Sequence, residues 1–396
     1  MSFGAAAFAH GIPHAPVPLA WRNLMADKRR LGRSAAGIGF AVLLMLAQLG
    51  FYHAFIDSAL NLARLLDADI VMISATKYSI SWPDQFPLQR LQQALAVPGV
   101  ASAYPLHILD ERSWRNESAG TLRPIEVIAF DPDKPVFLSD EINAARAALK
   151  QPGTALMDRR SRAFLGPSRT GLETEVGRRH IRIVGTFSLG PDFAADGRLI
   201  MSDRNMLSFF PPPGGPVPRL TRGDYGAIKL RPGADPAAVL AGLRAELPAD
   251  VAVYAKADYL EREKQYQMKI NPVGPIFGLG IFIGFVVGIL IAYQILYTDL
   301  SDQLPQYATL KAMGYGRRPL IRTVLIQAVL LGLAGYLPAV LVAAGFYFMV
   351  SEVTLLPMDL SPGVLAFAFC LSVGMCLLSA LLAVRRVLAA DPAELF

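Results

Sequence analysis

Hydrophobic positions along this chain follow two regimes. Four stretches, residues 34–55, 274–297, 323–350 and 361–384, are predominantly apolar and contain no Asp, Glu, Lys or Arg. About 20 such residues span a hydrocarbon core roughly 30 Å thick at about 1.5 Å of helical rise each. A charge at mid-bilayer costs about 3 kcal/mol, so charge-free runs suit a lipid surface. The pattern predicts four transmembrane helices.

Between the first and second runs the periodicity changes. Residues 69–74 (DIVMIS), 100–109 and 125–130 read as short strands, and 85–96 and 141–150 as helices that stop at Pro98-Gly99 and Pro152-Gly153. Residues 180–188 and 198–202 read as strands paired around a turn containing Gly and Asp. A last unit runs strand 225–230, turn Pro232-Gly233, helix 235–247, strand 251–254. Short strands interleaved with helices predict an α+β domain, in which split βαβ units are one arrangement. The run 211–218 (PPPGGPVP) reads as a stiff loop suited to contacts.

Both junctions with the apolar runs read as helical. Residues 56–66 continue the first span with Ala59, Leu62, Ala63 and Leu66, and 258–269 lead toward the second. Continuous helices would couple the domain rigidly to the spans; ordinary domain boundaries are the alternative.

Composition agrees with a membrane protein. Of 396 residues 53% are hydrophobic and 18% charged, below the roughly 25% charged of soluble domains. Charge placement sets the orientation. Arg22, Lys28, Arg29, Arg30 and Arg33 precede the first span, Lys311, Arg317, Arg318 and Arg322 lie between the second and third, and Arg385 and Arg386 follow the fourth. The loop between the third and fourth holds Glu352 and Asp359 and no basic residue. Basic flanks stay cytoplasmic, so both termini are expected inside and 56–272 outside. The expected order is a cytoplasmic tail with an interfacial amphipathic helix (1–33), first span (34–55), periplasmic domain with helical stalks (56–272), second span (274–297), cytoplasmic segment (298–322), third span (323–350), short periplasmic loop (351–360), fourth span (361–384) and cytoplasmic tail (385–396).

The first 20 or so residues carry no Lys or Arg and lack a signal-peptide start, predicting a disordered tail. Leu19, Trp21, Leu24, Met25 and Leu31 then alternate with Arg22, Lys28, Arg29 and Arg30 at near-helical spacing. Such a helix can lie at the headgroup level, with Trp21 as aromatic anchor beside the basic residues; a soluble juxtamembrane turn with a solvated charge run is the alternative.

Candidate chemistry is sparse. No Lys follows a Gly, so a GxxxxGK[ST] phosphate loop is absent. The spans carry no ionisable pair to relay protons or bind Na⁺. His10, His14, His53, His107 and His180 are scattered, without HExxH spacing, and no GxSxG elbow occurs. Cys370 and Cys376 both lie in the last apolar run. No catalytic, cofactor-binding or metal-ligating residue is expected, and any work must be driven by another polypeptide.

Two membrane features remain. Gly280, Gly284 and Gly288 recur every fourth residue in the second span, which lets a helix backbone approach closely, either within the chain or across a homodimer. In 298–319 (TDLSDQLPQYATLKAMGYGRRP), Asp302 can cap a short helix with Pro305 in its first turn. Leu304, Tyr307, Ala308, Leu310 and Met313 then form an apolar edge suited to a partner's groove, or to the membrane surface.

At these residues the chain resembles a known family. The loop YATLKAMGYGRRPLIRTVLIQA (307–328) is similar to the coupling segment of the FtsX/MacB-type ABC transporter permeases, and AVRRVLAADPAELF (383–396) to their closing basic pair followed by Asp-Pro-Ala-Glu. The start, 20–55 followed by DADIVMIS, resembles most the DevC-like branch of heterocyst-type exporters. The resemblance implies a non-catalytic inner-membrane permease, four spans per subunit and a homodimer. It also implies a separate cytoplasmic ABC ATPase of the DevA/MacB type, which binds the ATP, a periplasmic membrane-fusion adaptor and a TolC-like channel. It implies no nucleic-acid partner. ATPase coupling would fall to Leu304, Tyr307, Leu310, Lys311, Met313 and Gly314, and the glycine stripe would help pack the dimer. Glycolipid, lipid or another amphiphile is the implied cargo. Lipoprotein release, or FtsX-like regulation of a cell-wall hydrolase, would use the same topology.

Overall fold

The computed structural model of the protein describes residues 25, 27–80, 82–116, 119–193, 195–211, 220–302 and 317–389. The chain divides into two units: a helical unit of residues 1–50, 277–347 and 360–396, and an inserted domain of 51–276 with 348–359.

Four long helices enclose the four apolar runs. α1 spans Lys28–Leu65, and after the inserted domain come three more at Val273–Asp302, Arg317–Thr354 and Pro362–Ala389. By length and composition all four can cross a bilayer. α1 begins on a side-chain cap: Asp27 Oδ1 accepts from the backbone N–H groups of Arg29 (3.0 Å) and Arg30 (3.1 Å). A carboxylate there satisfies orphan donors and complements the positive end of the helix dipole. Lys28, Arg29, Arg30 and Leu31 therefore form the first turns of the long helix itself rather than part of a separate interfacial one. Trp21 and Arg22, with Leu19, Leu24 and the N-terminal tail, lie outside the described residues, whereas Met25 is helical and exposed.

The inserted domain begins on the last turns of α1. Its strands are β1 Ile70–Ser74, β2 Phe86–Pro87, β3 Val100–Arg115, β4 Leu122–Phe130, β5 Thr154–Asp158, β6 Glu173–Val176, β7 Arg179–Phe187, β8 Arg198–Ser202, β9 Arg222–Gly223, β10 Tyr225–Leu230 and β11 Val251–Ala255. Its helices are α2 Gln89–Leu95, α3 Asp140–Leu149, α4 Asp203–Phe209, α5 Pro236–Glu246 and α6 Lys256–Lys269. The three later long helices are thus α7 Val273–Asp302, α8 Arg317–Thr354 and α9 Pro362–Ala389. Ser139, Ser202 and Asp235 cap α3, α4 and α5, each accepting from a backbone N–H of the first turn.

The main sheet runs β11-β1-β10-β3-β4-β8-β5-β7-β6. Its first four strands are all antiparallel and, with α2 and α5, form two βαβ units whose strands interleave, β1-α2-β3 and β10-α5-β11. This is the split βαβ arrangement. β1 is buried on both faces, as its continuous apolar run requires. Ile70 and Met72 meet the core under α2 and α5, whereas Val71 and Ile73 join Leu62, Ala63 and Leu66 of the α1 end and Tyr259 of α6.

The second half of β3 carries the sheet into another lobe. β6, the last strand, turns back against β3: Thr174 Oγ1 donates to Arg115 O at 2.6 Å and Gly177 N to Ser113 Oγ at 2.6 Å. This contact covers an edge that would otherwise present unpaired backbone groups. The tight β6–β7 turn places both Gly177 and Arg178 at positive φ (57° and 62°). Trp114, Val127, Met157, Ile183, Leu199 and Met201 fill the lobe.

One expected pairing is wrong. Residues 180–188 and 198–202 do form strands β7 and β8, but β5 lies between them, parallel to β7 and antiparallel to β8. The cause is the segment 188–197, which is tied down by a buried ion network instead of forming a hairpin turn. Strands β5 and β6, and α4, were not foreseen from the sequence.

Candidate functional site

The helical unit packs through small residues. A β-carbon at Gly39 would stand 3.0 Å from Gly335 O, and one at Gly335 2.7 Å from Ile38 Cγ2, so α1 and α8 cross backbone against backbone. The glycine stripe of α7 also faces its own chain. A β-carbon would stand 2.6 Å from Gln48 Cδ at Gly280 and 3.0 Å from Met45 Cγ at Gly284, and at Gly288 it would collide with Met375 Sδ. Of the two alternatives open to the stripe, these contacts are intrachain. Side-chain hydroxyls tie the helices together: Ser379 Oγ donates to Ile289 O at 2.8 Å, Tyr336 Oη to Leu365 O at 2.9 Å, and Tyr347 Oη to Leu46 O. Leu279, Phe282, Ile283, Val286 and Leu290 of α7 are exposed, an apolar face that suits lipid or another apolar helix.

At the end where α1 begins and α7 finishes, Arg30 pairs with buried Asp299 and reaches Asp302 at 3.0 Å. Arg30 is therefore engaged by carboxylates of α7. Lys28 and Arg29 remain exposed. The expected coupling residues Leu304, Tyr307, Leu310, Lys311, Met313 and Gly314 lie outside the described residues, as does the Pro/Gly run from 212 on.

The two chain junctions differ. α1 runs unbroken from Lys28 to Leu65, with its end in the domain core. Between α6 and α7 the helix is interrupted at Ile270–Pro272. Pro272 supplies no N–H donor and disfavours helix at Asn271.

Inside the domain, α6 is locked by a polar joint that sequence reading missed. Glu263 is fully buried; its carboxylate accepts from Ile80 N at 3.1 Å and Gln267 Nε2 at 2.9 Å. Burial pushes its pKa up to about 7. Lys77, also buried, donates to Trp82 O (2.5 Å) and Asp84 O (3.2 Å) and lies 3.5 Å from Asp224 Oδ1. Asp224 accepts from Ile108 N (2.9 Å) and Gln85 Nε2 (3.0 Å). Burial lowers the pKa of Lys77 and raises that of Asp224, each opposed by the other's charge. Tyr259 Oη donates to Tyr225 Oη at 3.0 Å, and Arg262 to Lys77 O at 2.7 Å.

A second buried network fixes the 188–197 segment. Arg198 pairs with Glu126 and Asp192 and donates to Gly190 O. Burial lowers its pKa, but the carboxylates of Glu126 and Asp192 more than offset this and raise it above the usual arginine value. Asp158 accepts from Leu189 N (3.2 Å) and Gly190 N (2.6 Å). The segment so held touches the outer end of α1: Asn61 donates to Leu189 O at 3.4 Å, and Phe193 packs edge-on against Phe55 at 5.2 Å. Nearby, Arg160 Nη2 donates to Leu355 O at 3.0 Å just past the end of α8.

These groups tie helices and loops together. Among the described residues no group of three or more His, Cys, Asp or Glu is placed to hold a metal ion. Cys370 and Cys376 are both free thiols.

Four helices long and apolar enough to cross a bilayer, with an α/β domain inserted in sequence after the first, define a multi-pass membrane protein. Residues 277–392 match the family model "FtsX-like permease C-terminal". Among solved structures, the periplasmic region of MacB from Actinobacillus actinomycetemcomitans is similar at 10% identity, over 50% of this chain and 92% of that one, with a TM-score of 0.35. The extracellular domain of the noncanonic ABC-type transporter YknZ from Gram-positive bacteria is similar at 9% identity, over 47% of this chain and 98% of that one, with a TM-score of 0.31. Comparison with curated proteins finds no match.

Proposed function

We propose that this chain is the permease subunit of an ABC-type exporter, which passes the motion of a separate ATPase to its inserted domain. The observation that carries the proposal is the FtsX-like permease match over 277–392, which spans α7 to α9 and the segment between α7 and α8. On this reading the ATPase, which alone binds ATP, docks on the apolar edge of 304–314, and the chain adds no catalysis. Both termini are cytoplasmic and the inserted domain is periplasmic, as the basic flanks require. α1, unbroken into the domain core, serves as the stiff transmitting element, and the interruption before α7 serves as the pivot. The assembled machine is a homodimer whose inserted domains act on a periplasmic adaptor and a TolC-like channel, moving a lipid-like amphiphile.

Leu310→Asp tests the docking step. A charge on the apolar edge should cut ATPase copurification with the full chain at least about tenfold, a loss of roughly 1.4 kcal/mol or more. Membrane insertion should be unaffected. Undiminished copurification would refute the docking reading.

A further inference from the structure

We infer that Arg30 is a positioning residue for the coupling segment: from the first turn of α1 it holds the last turn of α7, the point from which residues 303–316 depart. The inference rests on the reading that this segment engages an ATPase.

The local sequence of α7 is at odds with its own ending. Helix C-termini carry partial negative charge and favour cations. The last turn of α7 contains no basic residue. It carries Asp299, which is buried, and Asp302. Two carboxylates at the negative end of a helix dipole destabilise that turn unless a cation is supplied from elsewhere. Arg30 supplies it, pairing with both. A guanidinium suits the task because its planar fork offers several donors at once and stays charged when desolvated.

Arg30 is itself placed with care. The Asp27 cap fixes the start of α1 and so the height at which Arg30 emerges. Leu300, between the two acids, is buried in the helical core together with Leu296. The turn is thus held on one side by apolar packing and on the other by a single arginine of another helix. Lys28, Arg29 and Arg33 are exposed on α1 and form no ion pair with these acids among the described residues. The α1 start and the α7 end are therefore clasped. If ATPase motion moves one of them, the other follows, and the origin of the coupling segment is carried by α1, the helix that reaches the inserted domain.

Hydrogen exchange of the backbone amides of residues 298–302, in the full chain in nanodiscs, reads the clasp directly. Arg30→Gln leaves Asp299 buried and unpaired and should accelerate exchange about fivefold. Asp299→Asn in the same chain removes the stranded charge and should restore exchange to within about twofold of wild type, the non-additivity expected of a direct pair. Arg30→Lys, which keeps the charge but lacks the fork that reaches both acids, should fall between wild type and Arg30→Gln. Wild-type exchange in Arg30→Gln, or a double variant no slower than Arg30→Gln, would overturn the clasp.

ATPase copurification then separates the clasp from the docking reading. Arg30→Gln should lower it about fivefold, with Asp299→Asn restoring it. Retention at the wild-type level in Arg30→Gln, with loss in Leu310→Asp, overturns the positioning role. Retention in Leu310→Asp overturns the docking reading, and the exchange data still decide whether the clasp exists.

Discussion

Glu263 shows how far a single side chain can depart from its expected surroundings. It sits in DYLEREKQYQMK, a segment whose charges suggest a solvated helix, yet Tyr259, Glu263 and Gln267, spaced by four, form the buried face of α6. Because burial raises its pKa from 4.5 to about 7, the fold favours the protonated acid. Its contribution is complete below pH 4.5 and is lost as pH rises through about 7, for a total of roughly 3 kcal/mol. Lys77, Arg262, Tyr225 and Tyr259 are the titratable groups that face it. Thermal unfolding of the domain within the full chain should therefore fall in midpoint between pH 5 and pH 8. Glu263→Gln should flatten that dependence and stabilise the domain at pH 8. An unchanged pH profile in the variant would show that another group governs it. The buried Arg198 and Lys77 were missed because each pairs with a carboxylate remote in sequence, Glu126 and Asp224.

At the level of elements, periodicity served well where a segment buries one kind of surface. The four apolar runs lie within long helices, DIVMIS is β1, and 225–254 contains the strand–helix–strand unit β10-α5-β11. It failed where neighbours decide. β5 and β7 are parallel partners joined by a connection that holds β6, and no local signal announces which strands a sheet will set side by side. The Gly39–Gly335 crossing was not foreseen, because it needs both helices in place. Gly335→Leu should drive a side chain into Ile38 and the α1 backbone, destabilising the helical unit by about 1–3 kcal/mol. The loss should appear as a lower melting temperature in detergent, with little change for Gly345→Leu, where a β-carbon meets nothing within 4 Å. Equal melting of both variants would refute the crossing.

For the whole molecule, placement of Lys and Arg yields a topology that one pair of reporters can check. A periplasm-active enzyme inserted at Pro213 should be active and one at Gly316 inactive; activity at Gly316 would invert the orientation. What the sequence alone determined is the partition between lipid and water: charge-free runs of spanning length, basic flanks, and a domain inserted after the first run. Those are properties of each segment's own transfer free energy, which adds along the chain without reference to neighbours. Only the tertiary structure decided which strands pair, that the glycine stripe meets α1 and α9, that Glu263 lies in a core, and that Arg30 answers Asp299. Each of these depends on residues far apart in the chain, where the energy belongs to a meeting of side chains and not to either segment alone.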